Sequence, residues 1–260
     1  MSQPLVSIIT PAYNCSKVIS ETIESVLSQE YENWEMIIVN DASTDNTQKI
    51  IEKYTNLDAR IKLYKLEINS GSATAKNYAI KKSHGKYIAF LDADDLWEKK
   101  KLKIQIEYME MTRCAFSFTA YEFFSKSTDL IRKYIKVPKL ITYKKYLSNT
   151  IIGNSTVIMN KDIIGNIEIK NGYLEDVLTW MFYLKKGFNA YGINNVLMSY
   201  RVYKESKSGK KLKNSKRYYR CLRKDQNFSI VKSIYFWFRY ALNASKKRVF
   251  AKKRKIRELQ

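Results

Sequence analysis

The chain contains few of the residues on which several common chemistries depend. Its 260 residues include three cysteines, eight glycines and one histidine. Cys15, Cys114 and Cys221 have no paired spacing, which excludes a disulfide framework or a thiolate metal site and favours the reducing cytoplasm. So few glycines leave little room for a glycine-rich phosphate loop. His84 precedes Gly85 at a predicted helix end, where we expect no chemical role, so histidine-based mechanisms are excluded.

A long apolar run is also missing. Residues 1–4 carry no basic segment and the apolar run over 5–10 is too short for a signal peptide, so we expect no export signal. The aromatic-rich segment over 228–242 is too short to span a bilayer and is interrupted by Lys232 and Arg239. Basic clusters at 246–248 and 252–255 follow it, a pattern typical of a helix lying on an anionic membrane surface. The alternative is a solvated basic face over a modest apolar contact with the body.

The net charge of +22 is concentrated at the C-terminus. Residues 1–200 contain 26 Lys and Arg against 22 Asp and Glu, whereas residues 201–260 contain 21 against three. This distribution predicts a globular domain over 1–203 followed by a basic, mostly helical extension over 204–260. Such an extension would bind a polyanionic surface, either membrane or nucleic acid.

Hydrophobic periodicity predicts alternating strands and helices in the first hundred residues. The predicted strands cover 6–10, 35–40, 61–65 and 87–91, and the predicted helices cover 16–29, a segment through 50–54, and 72–83. This alternation indicates an α/β fold with a mostly parallel, Rossmann-like sheet flanked by helices. We interpret residues 1–100 as a nucleotide-binding half and 101–203 as an acceptor half, with a helix over 102–111, strands over 115–120 and 155–159, and a helix over 174–186.

Carboxylates follow the fourth predicted strand directly. Asp92 and Asp94 would lie at its carboxyl end, where Mg²⁺ or Mn²⁺ accompanying a nucleotide can be held. The alternative is an acidic turn in which Asp95 caps a helix. Residues 10–14 and Asp41 end two other strands and should meet the same edge of the sheet. Asp41 is suited to accept hydrogen bonds from a base or ribose, or it forms an Asx-turn.

Five segments together resemble family 2 glycosyltransferases. They are residues 6–14 (VSIITPAYN), 41–45 (DASTD), 69–71 (NSG) with 75–77 (AKN), 92–95 (DADD) and 175–176 (ED). The resemblance implies a GT-A fold and inverting transfer of a sugar from a nucleotide diphosphate, usually with Mg²⁺ or Mn²⁺. It is closest to bacterial enzymes that build O-antigen or capsule repeat units on a polyprenyl-diphosphate lipid.

The resemblance also implies roles for particular residues. The expected nucleotide-sugar contacts are Pro11, Ala12, Tyr13, Asn14, Asp41, Lys76, Asp92, Ala93, Asp94 and Arg201. Asp94 is the expected metal ligand, and Asp95 is a further candidate for a sugar hydroxyl. Lys76 stands where many relatives have arginine and is suited to a phosphate or base edge. Arg201, in a segment that continues through Tyr203, Ser206 and Ser208, would contact the diphosphate, unless it is a solvent-exposed arginine at a strand end.

Inverting transfer needs a base that takes the proton from the acceptor hydroxyl. Glu175 and Asp176 begin the predicted helix over 174–186, and Asp176 projects away from its apolar stripe. We therefore expect Asp176 to be the base, although acidic residues are common in the first turn of any helix.

The sequence thus predicts an inverting enzyme that moves a hexose or N-acetylhexosamine from a UDP-sugar to a lipid-linked saccharide at the inner membrane surface. An Asp-x-Asp, Mg²⁺-dependent phosphotransferase is the enzymatic alternative. A basic nucleic-acid-binding protein without activity is the other alternative, although no nucleic acid is the expected partner.

Overall fold

Strands and helices alternate through the first hundred residues, as the hydrophobic pattern predicts. The computed structural model describes residues 3–125, 131–202, 211–249 and 252–255. The strands are β1 (Val6–Ala12), β2 (Trp34–Asp41), β3 (Ile61–Leu66) and β4 (Tyr87–Phe90), and the helices between them are α1 (Ile19–Leu27), α2 (Thr47–Leu57) and α3 (Ser72–Lys81). The four strands are parallel in the order β3-β2-β1-β4, so their carboxyl ends lie at one edge.

The second half of the chain extends this sheet with mixed pairing. Its elements are β5 (Leu96–Trp97), α4 (Lys101–Thr112), β6 (Phe116–Phe124), β7 (Ile131–Ile135), β8 (Leu140–Ile141), α5 (Tyr143–Ser148), β9 (Ile158–Asn160), α6 (Lys161–Ile164), α7 (Glu175–Lys185) and β10 (Ala190–Arg201). Strand β9 lies antiparallel between β4 and β6, and β10 runs parallel to β6. The strand predicted over 155–159 is wrong at its start, because Asn154–Thr156 form a 3-10 turn before β9.

The C-terminal segment packs against the body. It contains α8 (Lys211–Arg220), a π-helical turn (Cys221–Asp225), α9 (Ile230–Val249) and β11 (Lys252–Lys255), which pairs with β7. The Tyr218 hydroxyl donates to the Leu147 carbonyl at 2.6 Å, and the Asn243 amide donates to the Ser148 carbonyl at 2.8 Å. Across all the described ranges, no helix is both long and apolar enough to cross a membrane. The boundary predicted at residue 203 lies outside the described residues.

Both faces of the sheet are covered by helices, as a largely parallel sheet requires. Helices α1, α2 and α4 pack on one face, and α3, α7, α8 and α9 pack on the other. Successive residues of β1, such as Ile8 and Ile9, therefore point into different cores.

The packing of α7 places its first turn beside the end of β4. Trp180 is fully buried, and its ring lies 5.5 Å from that of Phe90 and 5.3 Å from that of Phe116. Phe90 is two residues before Asp92, and Trp180 is one helical turn after Asp176. One aromatic contact therefore brings two of the predicted site residues to the same edge of the sheet.

Candidate active site

The carboxyl ends of β1, β2 and β4 surround a cavity of about 550 Å³. Its lining includes every residue that the sequence predicts for nucleotide binding before residue 100 except Lys76: Pro11, Ala12, Tyr13, Asn14, Asp41, Asp92, Ala93 and Asp94. The predicted convergence of three chain-distant loops is confirmed. A cavity at this edge is where open α/β sheets bind ligands.

Asp41 fixes the loop that leads into α3. Its carboxylate accepts hydrogen bonds from the backbone N–H groups of Ser70, at 2.7 Å, and Gly71, at 2.8 Å. Gly71 has a φ of +88°, which favours glycine at this position. A carboxylate has room for further donors, so Asp41 can hold this loop and still accept from a ligand in the cavity.

Asn14 joins two neighbouring loops at the rim of the cavity. Its side-chain oxygen accepts a hydrogen bond from the backbone N–H of Thr44 at 2.8 Å, and the backbone N–H of Asn14 donates to the Ser43 hydroxyl at 3.0 Å. Its φ of +48° lies in the left-handed region, which asparagine tolerates. Asn14 therefore lines the cavity while its oxygen holds the loop after β2.

The loop after β4 is supported by the 3-10 turn at Asn154–Thr156. The Asn154 amide donates to the Asp92 carboxylate at 2.8 Å, and the backbone N–H of Asp92 donates to the Ser155 hydroxyl at 3.0 Å. The sequence analysis missed both supporting residues. The available signal was that Asn154 and Ser155 are polar residues just before the apolar strand β9.

Asp95 does not cap a helix, because the residues that follow it form β5. It is 2% exposed and accepts hydrogen bonds from the Ser155 hydroxyl and from the backbone N–H of Arg201. Burial raises the pKa of Asp95 well above its usual value, and the negative charges of Asp92 and Asp94 raise it further. The buried Asp95 holds the loop and is inaccessible to a sugar hydroxyl.

Arg201 is buried, which rules out the alternative of an arginine in solvent. It is 6% exposed, and its Nε donates to the Asp94 carbonyl at 2.9 Å. Its Nη2 donates to the Glu21 carboxylate at 3.0 Å, and its guanidinium carbon lies 4.5 Å from the centre of the Phe124 ring. Arg201 therefore supports the backbone of Asp94. The segment through Tyr203, Ser206 and Ser208 lies outside the described residues.

Lys76 lies at the centre of an acidic cluster, and its side chain is 1% exposed. Its Nζ is 3.0 Å from Asp176 Oδ1, 3.3 Å from Glu175 Oε1 and 3.5 Å from Asp92 Oδ1. The three carboxylates come from the first turn of α7 and the loop after β4. Because its ammonium group is already surrounded, this geometry gives no support to the expectation that Lys76 meets a phosphate or base edge.

Opposing effects set the pKa values in this cluster. Burial lowers the pKa of Lys76, but the charges of Asp176, Asp92 and Glu175 outweigh burial and leave it above its usual value. Burial raises the pKa of Asp176 to about 6. The negative charges of Asp92 and Glu175 raise this pKa further, whereas the positive charge of Lys76 lowers it. A carboxylate with such a pKa is a suitable general base near neutral pH.

A second cavity, of about 760 Å³, opens beside this cluster. Lys76, Glu175, Asp176 and Arg201 line it together with Asn214 and Arg217 of α8. Asp92, Asp94, Gly71 and Ser72 line both cavities, so the two cavities meet at the loop after β4.

The oxygen donors at this meeting point fit a hard cation. In the residues described, no three His, Cys, Asp or Glu side chains are grouped to hold a metal by themselves. A cation that binds together with a nucleotide needs only one or two carboxylates, since phosphate oxygens and water supply the rest. Asp92 and Asp94 both border the two cavities, and the Asp92 carboxylate also accepts from the Asn154 amide and lies 3.5 Å from Lys76 Nζ. Asp94, the ligand expected from the sequence, stays a prediction.

Solved structures with this architecture are GT-A glycosyltransferases. The mannosyltransferase PcManGT of Pyrobaculum calidifontis, in complex with GDP-Man and Mn²⁺, matches with a TM-score of 0.69 at 16% identity, over 96% of this chain and 77% of that one. TarS 1–349 of S. aureus in complex with UDP-GlcNAc matches with a TM-score of 0.65 at 18% identity, over 96% and 74%. The chain has the GT-A fold.

Residues 7–169 match the family described as Glycosyl transferase family 2, and the chain belongs to this family. A Bacillus subtilis (strain 168) protein named for teichuronic acid biosynthesis, the glycosyltransferase TuaG, is 43% identical over 95% of this chain and 98% of its own. The Escherichia coli UDP-Glc:α-D-GlcNAc-diphosphoundecaprenol β-1,3-glucosyltransferase WfgD is 35% identical over 96% and 97%.

The protein is therefore a nucleotide-sugar-dependent glycosyltransferase, and the prediction of its family, fold and reaction class is confirmed. The phosphotransferase alternative is wrong, because the matched family transfers glycosyl groups. The absence of a nucleic-acid partner stays a prediction.

The Lys76 cluster predicts a stability that depends on pH. Lys76→Met removes the ammonium and leaves three carboxylates in mutual repulsion, so we expect the free energy of unfolding in urea to fall by about 3 kcal/mol at pH 7.5. We expect a smaller loss at pH 5.5, where protonation of Asp176 relieves the repulsion. Lys81→Met, an exposed change on the same helix, is the control. Equal stability of the two variants at pH 7.5 would contradict this account of the cluster.

Proposed function

We propose that this protein transfers a hexose or N-acetylhexosamine, with inversion, from a UDP-sugar to a polyprenyl-diphosphate-linked saccharide during surface polysaccharide synthesis. The names of WfgD and WfaP, both UDP-Glc:α-D-GlcNAc-diphosphoundecaprenol β-1,3-glucosyltransferases of Escherichia coli, support the donor and acceptor classes. WfaP is named for the same reaction as WfgD and is 41% identical over 80% of this chain and 82% of its own.

The observation that carries the proposal is that two cavities share the Asp92–Asp94 loop. Pro11, Tyr13 and Asp41 line the first, which is suited to a nucleoside, and Asp176 lines the second. A diphosphate bound at the shared loop would direct the sugar toward Asp176. Donor and acceptor would then enter from different sides, as inverting displacement requires.

Asp176 would act as the base. It takes the proton of the acceptor hydroxyl while that oxygen forms a bond to the anomeric carbon and the bond from this carbon to the UDP oxygen breaks. Lys76 holds the Asp176 carboxylate at 3.0 Å and favours its ionised form. Glu175 also contacts Lys76, at 3.3 Å, so it helps to fix the ammonium group.

Mg²⁺ or Mn²⁺ would bind through Asp94 and the donor diphosphate. When bound, the cation would offset the negative charge that develops on the departing UDP. Arg201 holds the Asp94 backbone and Asn154 holds the Asp92 carboxylate, so the loop that carries both residues is held on two sides.

Helix α9 supports membrane association of the extension over 204–260. Its inner face, which includes Phe236, Trp237 and Tyr240, packs on the body. The outer face exposes large apolar side chains, from 47% to 79% of each: Ile230, Val231, Ile234, Tyr235, Phe238 and Leu242. Residues 201–260 contain 21 basic and three acidic side chains, which suits the anionic inner surface of the cytoplasmic membrane. The alternative to membrane binding, an apolar contact with the body, is present as well, and α9 still exposes an apolar surface.

The base assignment predicts a pH profile and a selective loss. We expect kcat/KM of the wild-type enzyme to fall as the pH drops below about 6, because Asp176 must be deprotonated. Asp176→Asn should bind UDP normally in calorimetry but lose about 10²–10⁴-fold in transfer. Glu175→Gln is the matched comparison and should lose less. The assignment is wrong if Glu175→Gln has the larger defect or if Asp176→Asn turns over normally.

The metal assignment predicts a change in UDP affinity. Asp94→Asn should weaken UDP binding about tenfold or more in the presence of Mn²⁺ and have little effect in its absence, because only the cation-dependent contact is lost. Isothermal calorimetry with and without Mn²⁺ measures both affinities. The control is Asp162→Asn, an exposed residue of α6. This helix follows β9, whose last residue pairs with the first residue of β4, so Asp162 lies near the end of β4 that is opposite to Asp94. Normal Mn²⁺-assisted binding in Asp94→Asn would refute the assignment.

The exposed face of α9 predicts binding to anionic vesicles. Replacing Val231 and Phe238 by serine should reduce flotation of the full chain with phosphatidylglycerol vesicles about tenfold or more, because both apolar contacts are lost. The matched control replaces Leu57 and Met111, which are 80% and 77% exposed elsewhere, by serine. Equal flotation of the two double variants would exclude α9 as the membrane contact.

A further inference from the structure

Helix α8 supplies one wall of the 760 Å³ cavity. Asn214 and Arg217, three residues apart on one face of the helix, line it together with residues 172–177. The sequence analysis predicts that the extension over 204–260 binds a polyanionic surface and gives Asn214 and Arg217 no role at the active site. The structure instead brings two of its polar side chains to the cavity that contains Asp176.

Arg217 differs from the other cations of this cavity in its charge balance. Lys76 lies within 3.5 Å of three carboxylates, and Arg201 pairs with Glu21 at 3.0 Å. Arg217 has no carboxylate within 4.0 Å among the described residues; its guanidinium carbon lies 4.8 Å from the centre of the Tyr173 ring. The Tyr173 ring therefore holds the guanidinium through a cation–π contact, and no described carboxylate neutralises its charge.

The opposite side of α8 contacts α9. The rings of Tyr218 and Tyr240 stack with centroids 4.2 Å apart, and the Trp237 indole donates to the Ser215 carbonyl at 3.1 Å. Helix α8 therefore lies between the cavity and the helix whose outer face is apolar.

We propose that Arg217, held by Tyr173, binds the diphosphate of the lipid-linked acceptor and so selects acceptors that carry one. This inference rests on the proposed function and names the group that recognises its acceptor. A guanidinium can bind diphosphate oxygens in a bidentate manner, and no carboxylate of the described residues competes with them for Arg217. A cavity of about 760 Å³ is within the range that holds ligands of this size. The saccharide next to the diphosphate would then lie toward Asp176.

The test compares two probes that differ in the diphosphate. One is N-acetylglucosamine diphosphate carrying a short alkyl chain, and the other is octyl N-acetylglucosaminide. Arg217→Ala should raise the KM for the first probe at least tenfold, leave that for the second unchanged and leave the KM for the UDP-sugar unchanged. Arg217→Lys should recover part of the loss. Arg220→Ala, an equal charge change at an exposed position of α8, should resemble the wild type.

Calorimetric binding of both probes to the protein in the presence of UDP gives a readout that does not require turnover. The inference is overturned if Arg217→Ala matches Arg220→Ala, if it weakens both probes equally, or if it raises the KM for the UDP-sugar instead. Arg217→Gln, which keeps most of the side chain, provides the same comparison if the alanine variant folds poorly. If the wild-type protein transferred no sugar from any UDP-sugar, the proposed function would be wrong. The role of Arg217 would still be supported if the wild type bound the diphosphate probe better than the other probe and Arg217→Ala lost this preference.

Discussion

The contact of one buried ammonium group with three carboxylates organises this molecule. Lys76 extends from α3 and reaches the loop after β4 and the first turn of α7, so a single side chain links the loop shared by the two cavities to the helix that carries Asp176. One positive charge cannot balance three negative ones. The remaining negative charge lies where the two cavities meet, and it raises the pKa of Asp176 to about 6 together with burial. The predicted stability and the proposed proton transfer thus depend on the same cluster.

The parallel half of the fold was predictable because its information is local. Each strand is a short apolar run, each helix has an apolar stripe, and the polar residues Asp41, Asp92 and Asp94 follow strand ends directly. Parallel strands bring their carboxyl ends to one edge, so these residues had to meet. The position of Asp176 at the start of a helix was also readable, but its distance from Lys76 was not.

Other parts of the site depend on contacts that no local pattern encodes. The burial of Asp95 follows from Ser155 and Arg201, which are 60 and 106 residues away in the chain. Strand β10 is absent from the predicted strands, because its pairing with β6 shifts register between Ile193 and Val196 and again between Val196 and Met198, which breaks the alternation expected of a strand. Arg217 gave no signal at all, since one basic residue among many in a cationic segment is not distinctive.

Helix α8 connects the proposed membrane contact to the proposed acceptor site within one short segment of the chain. The Tyr218 and Tyr240 rings stack across its inner side, while Arg217 faces the cavity. A truncation that removes the C-terminal segment to release the protein from lipid would therefore also remove one wall of the 760 Å³ cavity. In the evolution of such proteins, a change in membrane attachment and a change in acceptor preference would both have to be accommodated by the same ten-residue helix.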